Sequence, residues 1–124
     1  MTIAFDVDGT LTGFPEMFKE LMVQIGPQEG GAYTGFTRIV LTGCLSSSPT
    51  SPAQRQEQLA RLGIMKGEHY DELLVVQAPT TDGVAAGKGV VCRERNVALM
   101  FEDTKEWIPI IKTVSPGTCM ALVH

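Results

Sequence analysis

The sequence predicts an α/β domain, a parallel sheet covered by helices on both faces. Three observations lead there. Short apolar runs of strand length recur along the chain. Segments with apolar residues at helical spacing stand between them. Gly, Pro and Ser punctuate the junctions. Such alternation is the pattern of a three-layer fold in which parallel strands are joined by helical crossovers. At 124 residues the chain makes one domain, spanning 1–124.

Thr2–Phe5 reads as the first strand. Phe14–Ile25 carries Phe14, Met17, Phe18, Leu21, Met22 and Ile25 on one helical face, with Pro15 suited to a first turn and Gly26-Pro27 to a stop. Gly30-Gly31 marks a loop. Thr37–Leu41 is a short branched strand. Ser51-Pro52 opens a second helix, about Ala53–Leu62, that stops at Gly63. Glu72–Val76 is a third strand, and a weaker helix covers Val84–Arg95. Val97–Phe101 is a fourth strand. A short helix over Trp107–Lys112 and a fifth strand over Thr118–Leu122 complete the series.

Composition narrows the function. Hydrophobic content of 44% suits a globular core, and a net charge of −4 without a basic run gives no broad footprint for nucleic acid. Cys44, Cys92 and Cys119 are odd in number and lack CxxC spacing, so reduced thiols acting as core filler are expected. No apolar run approaches the ~20 residues of a spanning helix. The first residues lack the positive region of a signal peptide, so a cytoplasmic protein without membrane association is expected.

The chemistry is concentrated in Ile3-Ala4-Phe5-Asp6-Val7-Asp8-Gly9-Thr10-Leu11-Thr12. Residues i and i+2 of a strand share a side, so both carboxylates would emerge together at the end of a buried strand. Like charges that close need a cation, a shared proton or open solvent. Mg²⁺ fits, because hard oxygen ligands suit it and it binds through a few carboxylates plus substrate phosphate. An acidic Asp-Gly turn is the bland alternative.

This string resembles the first motif, DxDGT[LV], of the haloacid dehalogenase superfamily of aspartate-nucleophile phosphohydrolases. The resemblance implies a Rossmann-like fold with strand order 5-4-1-2-3 and the Asp6 strand at the centre. It also implies a Mg²⁺-dependent phosphatase in which Asp6 attacks phosphorus and Asp8 acts as general acid and base. Arg38-Ile39-Val40-Leu41-Thr42-Gly43 matches the second motif, making Thr42 and Gly43 phosphoryl-binding residues at the end of the second strand. Gly87-Lys88-Gly89 stands where the third motif supplies a lysine that neutralises phosphate and nucleophile. Glu102-Asp103 stands where the fourth supplies Mg²⁺ ligands, with Asp103 the first choice and Glu102 a second ligand or a group behind it. Asp6 and the backbone carbonyl of Asp8 would complete the metal set.

Other readings of these residues stay open. Gly83–Gly89 has a GxxxGKG shape, one residue short of a phosphate-cradling P-loop and without its hydroxyl. Lys88 could be a solvated loop lysine, with Arg93, Arg95 and Lys66 as rival cations. Glu102-Asp103 could be a helix-start acid pair. His69 and His124 are expected to be exposed, and Trp107 to be core or helix anchor.

Neither Thr12-Gly13 nor Pro79–Gly83 has room for the lid domain that many superfamily members insert. A capless, open site follows, with the Gly26–Gly35 loop as its largest variable neighbour. Such sites suit phosphate presented by a macromolecule, a protein or a nucleic-acid end, or a homo-oligomer whose neighbouring subunit forms the lid. The DVDGTLT opening is also similar to that of the 3′-phosphatase portion of polynucleotide kinase-phosphatases. The rivals from other classes are a catalytically silent binding or regulatory domain on the same fold, and a receiver-type phosphoacceptor domain.

Overall fold

The computed structural model describes residues 1–27 and 35–124. Five strands form a single parallel sheet: β1 (Thr2–Phe5), β2 (Thr37–Leu45), β3 (Glu72–Ala78), β4 (Val97–Glu102) and β5 (Cys119–Leu122). Their order is β3-β2-β1-β4-β5, the expected order read from the other edge. Four α-helices cover it: α1 (Pro15–Ile25), α2 (Pro52–Arg61), α3 (Thr81–Glu94) and α4 (Ile108–Val114).

β1 is central because its side chains are apolar on both faces. Ile3 and Phe5 pack with Phe18 and Met22 of α1, Leu59 of α2, Val40, Ile64 and Tyr70. Ala4 faces the other way, with Ile39, Leu41 and Met100 against Ala85 and Cys92 of α3 and Ile111 of α4. α1 and α2 therefore form one layer and α3 and α4 the other. Burying strands on both faces is what lets a parallel sheet read as continuous apolar runs.

Several boundaries move, for tertiary reasons. β2 runs to Leu45 rather than Leu41, because β3 extends alongside it to Ala78 and pairs Thr42 with Val75 and Leu45 with Ala78. Thr42-Gly43 is thus strand interior, not a turn. α3 begins at Thr81, ahead of the expected Val84, because the Thr80 hydroxyl accepts from Gly83 N–H at 3.0 Å and caps it. The glycines of α3 answer to packing. A Cβ on Gly87 would lie 2.4 Å from Val76 and one on Gly89 2.7 Å from Val114. The Gly83–Gly89 stretch is helical, so the P-loop shape forms no phosphate-cradling loop. The fourth helix runs over Ile108–Val114 after a tight turn at Lys105–Trp107, and β5 starts one residue late at Cys119.

The expectations for His69 and the cysteines also change, and Arg38 takes a role the sequence did not indicate. His69 is buried: its Nδ1 accepts from Met65 N–H at 2.9 Å, which closes the loop after α2. Cys92 is core filler, but Cys44 is half-buried and Cys119 exposed, since β5 is an edge strand. Arg38 is buried within β2 and staples the 67–71 segment to the sheet. It donates to Asp71 carboxylate oxygens at 3.2 and 3.0 Å and to the carbonyls of Met22, Gly67 and Glu68. Gly30-Gly31 and most of the Gly26–Gly35 loop lie outside the described residues. Thr12–Phe14 alone joins the turn after β1 to α1, and Pro79-Thr80 alone joins β3 to α3, so no cap domain is inserted at either point. No helix among the described residues is long and apolar enough to cross a membrane.

Candidate active site at the carboxyl ends of the central strands

The carboxyl ends of β1 and β4 lie side by side, with Phe5 paired to Phe101. At each of these ends a Phe is followed by an acid: Phe5 closes β1 ahead of Asp6, and Phe101 precedes Glu102, the last residue of β4. Phe5 and Phe101 stack at 5.3 Å and both pack edge-on against Phe18, at 5.9 and 5.3 Å. The next residue on each strand faces the opposite layer. Asp6 and Glu102 therefore turn together toward α3, on a stiff aromatic base.

α3 meets them with Lys88. Its Nζ donates to Asp6 Oδ1 at 2.7 Å and to Glu102 Oε1 at 3.0 Å. The Lys88 side chain is 1% exposed, that of Asp6 6% and that of Glu102 0%. The solvated-lysine reading of Lys88 is thereby excluded, while Arg93, Arg95 and Lys66 are exposed and Arg95 pairs with Glu72. The Trp107 ring lies 5.0 Å from Lys88 Nζ and closes the cation from the α4 side. Trp107 is partly buried against this core, as its expected anchor role requires.

Two carboxylates share this one buried cation. Burial pushes the Asp6 carboxyl up to about 8, and Glu102 pushes it further in the same direction, against the pull of Lys88. Lys88 is desolvated too, but Asp6 and Glu102 together hold its pKa above the ordinary lysine value, so it stays charged.

Asp103 joins the same group. Oxygens of Asp6, Glu102 and Asp103 all lie within 4.8 Å of one another. Glu102 Oε2 accepts from the Asp103 backbone N–H at 3.0 Å, so each Glu102 oxygen has a donor. Asp103 is half-buried, and its Oδ1 accepts from the Thr104 hydroxyl at 3.3 Å. The turn Val7–Leu11 lies against this carboxylate. Leu11 and Thr12 N–H reach back to the Asp6 and Val7 carbonyls, and Gly9 has φ of +79°. A Cβ on Gly9 would stand 1.9 Å from Asp103 Oδ2. Gly9→Ala must therefore both strain the backbone and push Asp103 aside. It should lower stability by about 1–2 kcal/mol in urea unfolding. A wild-type midpoint would mean that neither constraint is real.

Asp8 and the second motif are arranged differently. The Asp8 side chain is 64% exposed and is gripped by Arg55 of α2. Thr42 is fully buried, and its hydroxyl has no partner among the described residues. Strand alternation puts it on the Val40 side of the sheet, whereas Asp6 shares the Ala4 side with Lys88. Gly43 lies against α3, where a Cβ would be 2.2 Å from Val84, and its carbonyl accepts from Arg55 at 3.0 Å. Asp6, Lys88, Glu102 and Asp103 form one cluster. Asp8, Gly43 and Arg55 form a second beside it.

Arg55 was not among the residues singled out from the sequence. The available signal was an arginine one helical turn before Leu59 and two before Leu62, in line with the apolar face of its helix. Comparison with family models, with curated proteins and with solved structures returned no match.

Proposed function

We propose that this chain is a phosphohydrolase of the haloacid dehalogenase type, acting on a phosphomonoester through an aspartyl-phosphate. The observation that carries the reading is Asp6. It is a buried carboxylate at the tip of the central strand, bonded to a buried lysine, with two further acids within reach. A stable core rarely keeps two carboxylates on one buried cation with a third acid beside them, and perturbed groups of this kind cluster at functional sites.

The donor set suits Mg²⁺. It consists of hard oxygens, clustered and partly open to solvent through Asp103. Both oxygens of Glu102 are engaged, so Asp6 and Asp103 would hold the ion, with the Asp8 carbonyl as the resemblance implies. Glu102 would brace Lys88 and the Asp103 backbone from behind. When bound, the ion supplies charge neutralisation for the phosphoryl group and the nucleophile.

The chain's own residues divide the rest. An Asp6 oxygen attacks phosphorus while the bond to the leaving oxygen breaks. Asp8 gives that oxygen a proton and then takes one from the water that attacks the aspartyl-phosphate, releasing inorganic phosphate and restoring Asp6. Lys88 neutralises Asp6 and the transferring group. The resemblance assigns the phosphoryl contacts to Thr42 and Gly43. Gly43 stands beside Asp8 through Arg55, whereas the Thr42 hydroxyl is fully buried on the other side of the sheet from Asp6 and does not face the phosphoryl group. With Asp8 and Gly9 exposed and no cap inserted, the site would accept a phosphate carried by a macromolecule, including a nucleic-acid end.

Phosphate release from p-nitrophenyl phosphate, phosphopeptides and 3′-phosphorylated oligonucleotides, with Mg²⁺ and with EDTA, tests the reading. Metal-dependent release is expected, and its absence across the panel would defeat the proposal. Cation binding has a separate readout, because Trp107 is the one tryptophan and stands beside Lys88. Mg²⁺ should change its fluorescence saturably, and Asp103→Ala should raise the midpoint by more than about tenfold. An unaltered midpoint would remove Asp103 from the ligand set.

A further inference from the structure

Asp8 is the most exposed acid of the site, yet its carboxylate is fixed. Arg55 Nη1 donates to Asp8 Oδ1 at 3.2 Å, and Nη2 lies 3.2 Å from Oδ2. The guanidinium is itself held. Nη2 donates to the Gly43 carbonyl and Nη1 to Gln58 Oε1, each at 3.0 Å. The Arg55 side chain is only 11% exposed. Its helix is pinned at the start, where the Ser51 hydroxyl accepts from Gln54 N–H and the Gln54 side chain accepts from Ser51 N–H. One residue after Gln54, Arg55 inherits that fixed geometry.

The ion pair itself contributes little to stability; the bonds to Gly43 and Gln58 hold Arg55 whether or not Asp8 is engaged. An ion pair with so exposed a partner is worth about 0–1 kcal/mol. Against it, Arg55 Nε is buried with no partner among the described residues, a cost of about 1–3 kcal/mol. Local arrangements that cost stability are found at functional sites. What the fork delivers is orientation. A held guanidinium that bonds one carboxylate oxygen and faces the other restrains a carboxylate that otherwise turns freely in solvent.

We propose that Arg55 is the positioning residue for Asp8. Braced by Gly43 and Gln58, it holds the Asp8 carboxylate at the angle from which Asp8 gives and takes its proton. This rests on the phosphohydrolase reading and adds a residue from α2 to it. Arg55 acts through Asp8 and need not touch the phosphoryl group. A misplaced proton donor can cost about 10²-fold in rate, so geometry alone gives Arg55 a large effect.

The test compares Arg55→Ala, Arg55→Lys and Asp8→Ala with the wild type in Mg²⁺, using a 3′-phosphorylated oligonucleotide or a phosphoserine peptide, whose alkoxide leaving group needs the proton. Arg55→Ala should lose about 10–100-fold in kcat with KM within about threefold, and Arg55→Lys should fall in between. Guanidinium chloride at millimolar concentration should restore part of the rate to Arg55→Ala and none to Asp8→Ala. Wild-type kcat in Arg55→Ala, a loss confined to KM, or equal rescue of Asp8→Ala would overturn the proposal alone. Absence of turnover by the wild type on p-nitrophenyl phosphate, phosphopeptides and 3′-phosphorylated oligonucleotides alike would overturn it together with the phosphohydrolase reading. If Arg55→Ala does not fold by circular dichroism, the kcat of Arg55→Lys decides on the same terms.

Discussion

Asp6→Asn should abolish turnover while making the protein more stable in neutral and alkaline solution. The two effects have one origin. Asn keeps the size of Asp and an oxygen that can accept from Lys88, so the packing over Phe5 and Phe101 survives. It has no charge with which to attack phosphorus, and kcat should fall by about 10³-fold or more. The stability effect follows from burial. Asp6 loses its proton near 3.8 in the unfolded chain and near 8 in the folded one. Between those values the folded state binds more protons than the unfolded state, so stability falls as pH rises. The contribution is fully present below about 3.8 and is lost as pH passes about 8. Asp6→Asn removes that slope and leaves Lys88 with Glu102 as a neutral buried pair. Urea unfolding in EDTA should show wild type weakening from pH 5 to pH 8.5, and Asp6→Asn gaining on it by at least about 1 kcal/mol at the upper end. EDTA is needed because a cation beside Asp6 opposes the rise in its pKa. Parallel pH profiles for the two proteins would mean that Asp6 is not strained by its burial.

Much of this was legible because the relevant patterns are local. The alternation of apolar strands and helices carried the sheet and its layers, and the DxDGT string carried Asp6 at the tip of β1. The expectation that Asp8 emerges with it on one side fails, because β1 ends at Phe5 and Asp8 sits in the following turn against Arg55. Lys88 was picked out as a lysine between glycines, and it does reach Asp6, but for a different reason. Gly87 and Gly89 are small because Val76 and Val114 press on α3, not because the chain loops there. What escaped was set by contacts distant in sequence. Arg55 grips Asp8 across 47 positions and Lys88 reaches Asp6 across 82. Local patterning carries no such information. β2 runs past Thr42 only because β3 pairs with it there. His69 is buried because its ring closes a loop whose surroundings come from Arg38 and Asp71. Buried charges on apolar faces are the one trace such contacts leave in a sequence, and Arg38 in a branched strand and Arg55 in line with Leu59 both show it.

Lys88→Met should be strongly destabilising. Lys88 is the only cation bonded to Asp6 and Glu102 among the described residues, and all three are buried. Met fills most of the same volume and keeps contact with Trp107, so packing is roughly conserved while the charge goes. Breaking a buried ion pair from one side costs about 3–5 kcal/mol, a large share of the 5–15 kcal/mol that holds a typical domain folded. The loss should be smaller at pH 5 than at pH 8, because Asp6, whose carboxyl burial already pushes up, can take up a proton when the solution supplies it. Turnover should vanish as well, which alone would not separate a charge role in catalysis from simple unfolding. The combination Lys88→Met, Asp6→Asn, Glu102→Gln separates them. It removes the three buried charges, leaving only the half-buried Asp103, and should recover most of the stability, since replacing a buried ion cluster by neutral groups is often close to neutral. It should recover none of the activity. If the triple variant remains as unstable as Lys88→Met, then shape rather than charge fixes Lys88 in α3. The phosphohydrolase reading would then lose its argument that the protein bears an electrostatic cost at this site for the sake of chemistry.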